Sequence, residues 1–126
     1  MSITILNLPS MADDRGVLSV LEAALPFAIE RVFWITDAQG QTRGGHGHKK
    51  CRQAAVAIGG QVDIFMDNGQ EQKTVKLDSA DKCLLIEPEY WHKMTFHENA
   101  ALLVFASNKY DADDYIHEQP QKSIDG

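Results

Sequence analysis

The stretch Arg43-Gly44-Gly45-His46-Gly47-His48-Lys49-Lys50 is the part of this chain best equipped for chemistry. Side chains two apart on a strand point to the same face, so His46 and His48 project together. Histidine is the side chain whose ordinary pKa lies closest to neutrality, so a pair on one buried face suits proton transfer or metal binding. Arg43 has the opposite parity from His46, but Gly44-Gly45 can break the alternation and turn it inward. Gln53 follows, and a third histidine, His92, sits behind Pro88 and Trp91. A lone histidine beside a tryptophan is weaker evidence, and its plainer role is a hydrogen-bonded core or rim residue. His97 and His117 carry no spacing information and read as surface residues.

The elements that must position these groups are short strands. Ser2 to Asn7, Val17 to Leu21 and Arg31 to Thr36 are rich in Ile, Leu, Val and Phe, with polar turns between them. Gln53 to Ile58 runs into Gly59-Gly60. Gln61 to Met66 then alternates, with Val62, Ile64 and Met66 on one face. Asp67-Asn68-Gly69-Gln70 predicts a two-residue hairpin turn of type I′. Thr74 to Leu77, Cys83 to Ile86, Trp91 to Phe96 and Ala101 to Ala106 follow. Helical signals are confined to a turn near Glu22 to Leu25 and a short acidic piece around Asp111 to His117. About ten short strands with regularly spaced turns predict an all-β sandwich or closed barrel.

At 126 residues the chain is read as one domain, with residues 119–126 as a fraying tail. The formal net charge of −6 argues against unspecific affinity for nucleic acid or an anionic membrane, while leaving room for an anionic small ligand. No apolar run approaches the ~20 residues that span a bilayer, and the first residues do not read as a signal peptide. Cys51 and Cys83 form no CxxC pair or dense framework, so two reduced thiols in a cytoplasmic protein are expected.

His46-x-His48, Gln53 and His92 follow the outline of a cupin metal site, except that Gln53 stands where the usual pattern has a glutamate. Losing that carboxylate weakens a hard-cation site while still allowing zinc. Further blocks narrow the reading. Asp14-Arg15-Gly16-x-Leu18 with Glu22 comes first, then Pro26-Phe27-x-Ile29-x-Arg31-Val32-Phe33, then Arg43-Gly44-x-His46-x-His48-Lys49. Leu85-Ile86-x-Pro88-x-x-Trp91-His92 follows, and Ala106-Ser107-x-x-Tyr110-Asp111-x-x-Asp114-Tyr115-Ile116 closes the series. In this order the blocks resemble the cupin-type sugar-nucleotide 3,4-ketoisomerases, which convert dTDP-4-keto-6-deoxyglucose into a 3-keto-6-deoxyhexose.

The resemblance implies a single-domain cupin, a double-stranded β-helix of jelly-roll type, and a metal-independent isomerase without a cofactor. It implies a dTDP-sugar substrate, a place in dTDP-3-amino-3,6-dideoxyhexose synthesis for surface polysaccharide, and a homodimer that often exchanges N-terminal strands. The reaction moves a carbonyl from C4 to C3. A base takes the C3 proton, an enediol or enediolate forms, and a proton returns at C4. His46 is assigned as the base at carbon and His48 as the shuttle between oxygens, with the reverse assignment open. Arg43, Arg15 and Arg52 are candidate donors to the enediolate or the pyrophosphate, each against the plainer reading of a surface ion pair. Gln53 and His92 complete the expected substrate site. Trp34 and Trp91 are placed to stack on thymine or wall off the sugar, against core packing.

Some residues depart from the pattern. Trp34 stands where the family commonly has a tyrosine, Gly47 where alanine is usual, and Glu87 and Glu89 bracket Pro88. Tyr110-Asp111 and Asp114-Tyr115 look too acidic to face a pyrophosphate and are expected to be structural. Two other classes remain: another cupin enzyme, either metal-dependent or a deoxysugar-nucleotide epimerase, and a noncatalytic sugar-nucleotide-binding module.

Overall fold

The computed structural model describes residues 3–121. Its strands are β1 (Ile5–Asn7), β2 (Ser10–Asp13), β3 (Gly16–Ser19), β4 (Arg31–Ile35), β5 (Thr42–His48) and β6 (Gln53–Gly59). They continue as β7 (Val62–Asp67), β8 (Gln72–Leu77), β9 (Lys82–Ile86), β10 (Trp91–Phe96), β11 (Ala101–Ala106) and β12 (Tyr115–Ile116). One five-stranded sheet has the order β1-β9-β6-β11-β4 and the other β12-β5-β10-β7-β8, while β2 and β3 form a separate ribbon. The two large sheets close on each other as the jelly-roll barrel of a cupin.

Alternation explains the closure. Val62, Ile64 and Met66 on β7 are fully buried, as their shared parity predicts. They meet Phe96 of their own sheet and Leu84, Leu102 and Val104 of the facing sheet in one core. Removing each such side chain from water contributes about 1.5–3 kcal/mol. Strand β6 is buried on both faces. Ala55 and Ala57 look into that core, while Ala54 and Val56 are covered on the other side by Leu6, Leu21, Leu25 and Phe27. The N-terminal segment thus covers the outer face of the first sheet over β6 and β9.

Three expectations are corrected. The loop after β7 is longer than a two-residue turn: Asn68 N–H donates to the Glu71 carbonyl, and Asn68 Oδ1 accepts from Gln70 and Glu71 N–H. Of that pair, Gly69 alone takes a positive φ (91°), so the type I′ geometry is not formed. No helix forms at Glu22 to Leu25, where the chain bends with Ala23 at φ 52°. The acidic piece gives a single 3₁₀ turn, Ala112–Asp114, and then turns into strand β12. The ribbon strand β2 was not anticipated. Ser2 and residues 122–126 lie outside the described residues, but Gln119 is held in place by its Nε2 donating to the Asp67 carboxylate.

Candidate active site

Two glycines aim the site. Gly44 and Gly45 take φ values of 93° and 78°, and the pairing of β5 with β10 slips between His92 and Lys93. His46 lies opposite His92 and Gly44 opposite Lys93, so Gly45 is the extra residue of a bulge. The bulge puts Arg43 on the wall of the same cavity as His46, despite their opposite parity. Space also requires glycine here: a Cβ on Gly44 would come within 3.1 Å of the His92 carbonyl oxygen.

That cavity, of about 250 Å³, lies between the sheets and is lined by Arg31, Arg43, His46, Gln53, His92 and Tyr115, among others. Arg31, Phe33 and Ile35 are the partly buried positions of β4, every second residue on one face. Trp34 has the other parity, so its side chain leaves the cavity for the outer face of the sheet and is 66% exposed, against the expectation that it stacks on the nucleotide or walls off the sugar.

The imidazoles of His46 and His48 are 5.2 Å apart between centroids, and those of His46 and His92 5.1 Å. Burial, reinforced by the nearness of His48 and His117, pushes His46 down to about 4. Burial also lowers His48, with Asp114 pulling the other way and Arg31 adding to the lowering. His92 is fully enclosed and is pushed down to about 3 by burial, then by His46 and His48. All three imidazoles are therefore neutral in neutral solution. Neither ring nitrogen of His92, nor Gln53 Oε1, nor His46 Nδ1 has a hydrogen-bond partner among the described residues. Buried polar atoms without partners are uncommon and mark a site whose polar capacity is left open. No group of three or more His, Cys, Asp or Glu side chains among the described residues is arranged to hold a metal ion.

The chain has four arginines, and the structure sorts them. Arg43, though exposed, borders the histidine cavity. Arg52 does not: its Nε and Nη2 form a bidentate pair with the Glu87 carboxylate, both at 2.7 Å, and Nη1 donates to the Pro26 carbonyl. Glu87, one of the departures noted above, is thus the counterion of Arg52. Arg15 is also absent from the cavity. It pairs with Asp13 at the exposed tip of the β2–β3 ribbon. Trp91 donates its indole N–H to the His117 carbonyl, a structural contact.

Three residues near the histidines escaped sequence reasoning. Arg31 lines the cavity with its guanidinium 4.4 Å from the Phe33 ring centroid and 5.5 Å from that of Tyr110. In the sequence Arg31 stands only within the block Pro26 to Phe33, and the signal that marks it is its shared parity with Phe33 on β4. Tyr115, expected to be merely structural, packs its ring against both His46 and His48. His117, expected at the surface, brings its ring to 6.4 Å from that of His46.

Neutral bases beside cationic donors in a partly enclosed cavity suit proton abstraction next to a carbonyl, with the developing negative charge met by arginine. The family described as FdtA (WxcM-like, C-terminal) matches residues 1–122. The chain is 36% identical over 118 residues to a TDP-4-oxo-6-deoxy-alpha-D-glucose-3,4-oxoisomerase of Aneurinibacillus thermoaerophilus, covering 90% of this chain and 85% of that one. Its fold is similar to that of QdtA, a sugar 3,4-ketoisomerase of Thermoanaerobacterium thermosaccharolyticum solved in complex with TDP. That match has a TM-score of 0.88 and 36% identity, over 92% of this chain and 88% of the other. The WlaRB TDP-quinovose 3,4-ketoisomerase of Campylobacter jejuni matches with a TM-score of 0.86 and 38% identity, over 92% of each chain.

Proposed function

The chain belongs to the family described as FdtA, WxcM-like, C-terminal, and we propose that it is an isomerase moving the carbonyl of TDP-4-keto-6-deoxyglucose from C4 to C3. The observation that carries this reading is the placement of His46 and His48 as neighbouring neutral imidazoles, His46 lining the cavity with Arg31 and Arg43, and His48 on the narrow gap beside it that Arg31 also borders. His46 takes the C3 proton, which the adjacent ketone acidifies. His48 passes a proton between the two oxygens, and His46 returns one at C4. The guanidinium of Arg43, with that of Arg31, meets the enediolate oxygen or the diphosphate. Gln53 and His92 present polar atoms to the sugar. No cofactor enters this scheme, because every step is a proton transfer.

The test is product trapping. Purified protein treated with chelator is incubated with TDP-4-keto-6-deoxyglucose and reduced with borodeuteride, and the label is located on the hexose. Deuterium at C3 is the expected result. Deuterium remaining at C4 alone overturns the reading.

The same reading includes a homodimer, with the β2–β3 ribbon covered by the second copy. Met11, Val17 and Leu18 on that ribbon are 58%, 68% and 59% exposed, and the ribbon pairs with no other strand. A lone two-stranded hairpin is marginally stable in water, and a second copy of the chain would cover this apolar face. The cytoplasm suits a chain whose Cys51 and Cys83 are both buried, free thiols. Among the described residues no helix is long and apolar enough to cross a membrane.

A further inference from the structure

The C-terminal segment from Asp111 to His117 crosses directly over the histidine pair, and it is fastened there at several points. Lys49 N–H donates to the Asp114 carbonyl at 2.8 Å. The Asp114 carboxylate accepts from Lys50 N–H at 2.8 Å and from Cys51 N–H at 3.1 Å. Asp111 caps the 3₁₀ turn by accepting from Asp113 N–H, and Trp91 holds the far end through the His117 carbonyl. Both oxygens of Asp114 are thus committed to backbone donors, and the carboxylate serves as an anchor. The anchor sets the register of β12, in which Tyr115 lies opposite His48.

The result is an aromatic contact to both bases at once. The Tyr115 ring centroid is 4.4 Å from that of His46 and 4.7 Å from that of His48, with interplanar angles of 45° and 66°. Tyr110 and His117 flank the same ring at 5.8 Å and 5.9 Å. Tyr115 also lines both the histidine cavity and the narrow gap beside His48 that Cys51 and Asp114 border.

We propose that Tyr115 is a positioning residue of this site: anchored by Asp114, its ring fixes the imidazoles of His46 and His48 relative to each other and keeps water from them. This rests on the ketoisomerase reading for its kinetic consequence, but its geometric consequence stands apart from that reading. Small displacements of reacting groups are costly, so a ring that sets the spacing of two bases acts on turnover more than on nucleotide binding. The burial that holds His46 and His48 neutral comes in part from the same ring, alongside His92 on β10 and the guanidinium groups of Arg31 on β4 and Arg43 on β5.

The experiment compares Tyr115→Ala, Tyr115→Phe and Asp114→Asn with the natural chain in two measurements. The first is steady-state turnover of TDP-4-keto-6-deoxyglucose. The second, needing no substrate, is the rate at which diethyl pyrocarbonate modifies His46 and His48, followed by peptide mass spectrometry. Tyr115→Ala is expected to lower kcat roughly tenfold or more with KM within about threefold, and to speed modification of both histidines. Tyr115→Phe, which keeps the ring, restores both properties. Asp114→Asn keeps the ring but loosens its anchor, and shifts both in the direction of Tyr115→Ala, which decides the matter should that variant fail to fold.

A folded Tyr115→Ala with unchanged kcat and unchanged modification rates overturns the proposal. So does a Tyr115→Phe as impaired as Tyr115→Ala, since the hydroxyl and not the ring would then be at work. If the natural chain does not turn this substrate over, the functional reading fails. The modification rates alone then decide the role of Tyr115: faster in Tyr115→Ala and unchanged in Tyr115→Phe supports it, and equal rates in all three chains refute it.

Discussion

The rings of His46 and His48 stand 5.2 Å apart and almost perpendicular, at 87°, on a single strand. In the proposed reaction these are the two bases, one for carbon and one for oxygen. Replacing either by asparagine keeps a polar side chain of similar reach but removes the titrating nitrogen. His46→Asn and His48→Asn are each expected to reduce kcat by roughly 10²–10⁴-fold, the usual worth of a positioned general base. Titration calorimetry with TDP is expected to give affinities within about threefold of the natural chain for both variants.

The pH dependence follows from burial. His46 is lowered from an ordinary 6.5 to about 4 and His92 to about 3, so the folded chain refuses protons that the unfolded chain accepts. Their contribution to stability is fully present above the unfolded value and is lost as pH falls from about 6.5 toward 4. The midpoint of thermal unfolding is therefore expected to fall between about pH 7 and about pH 4.5, and less steeply in His92→Gln. In the same way the acid limb of kcat/KM, which reports the free enzyme, is expected well below pH 6.5 and near 4 if His46 is the base at carbon.

Arg31 is predicted to contribute more than its charge, because its guanidinium stacked on Phe33 is held in a fixed plane. Arg31→Lys keeps the charge and loses the planar fork. Turnover in this variant is expected to drop by roughly tenfold or more, the scale of a lost transition-state donor. A matching loss of TDP affinity would assign Arg31 to the diphosphate, and a loss in kcat alone to the enediolate.

Arg52 serves as the contrast. Its two hydrogen bonds to Glu87 join the start of β6 to the loop after β9, away from the histidines. Arg52→Gln is expected to cost about 1 kcal/mol in denaturant unfolding, a value suited to a half-exposed bidentate pair. Its kcat and KM are expected to stay at the natural values.

Much of the fold was legible because its signals are local. The alternation of Val62, Ile64 and Met66, and the β-branched and aromatic runs, have a period of two that any buried sheet face demands. The bulge that brings Arg43 to the cavity edge was legible for a similar reason, since two consecutive glycines permit it. What could not be read was the pairing of distant groups. Arg52 and Arg43 look alike as sequence, yet Glu87 lies 35 positions from Arg52 and claims it. Tyr115 is likewise 69 positions from His46 by subtraction of their numbers, and only the register of β12 on β5 brings the ring to the histidines. The turn at Asn68-Gly69 misled because side-chain bonds from Asn68 Oδ1 stabilise a wider loop over the tight one.

The most direct test of the account is proton NMR of the chelator-treated protein with TDP-4-keto-6-deoxyglucose in deuterated water, run beside His46→Asn and His48→Asn. The account predicts that the C3 proton signal disappears as a 3-keto hexose grows in, with ring couplings that give the configuration at C4, and that both variants leave the substrate spectrum unchanged. Exchange at C3 and C5 without any 3-keto species would contradict it, as would an unaltered spectrum in the natural chain.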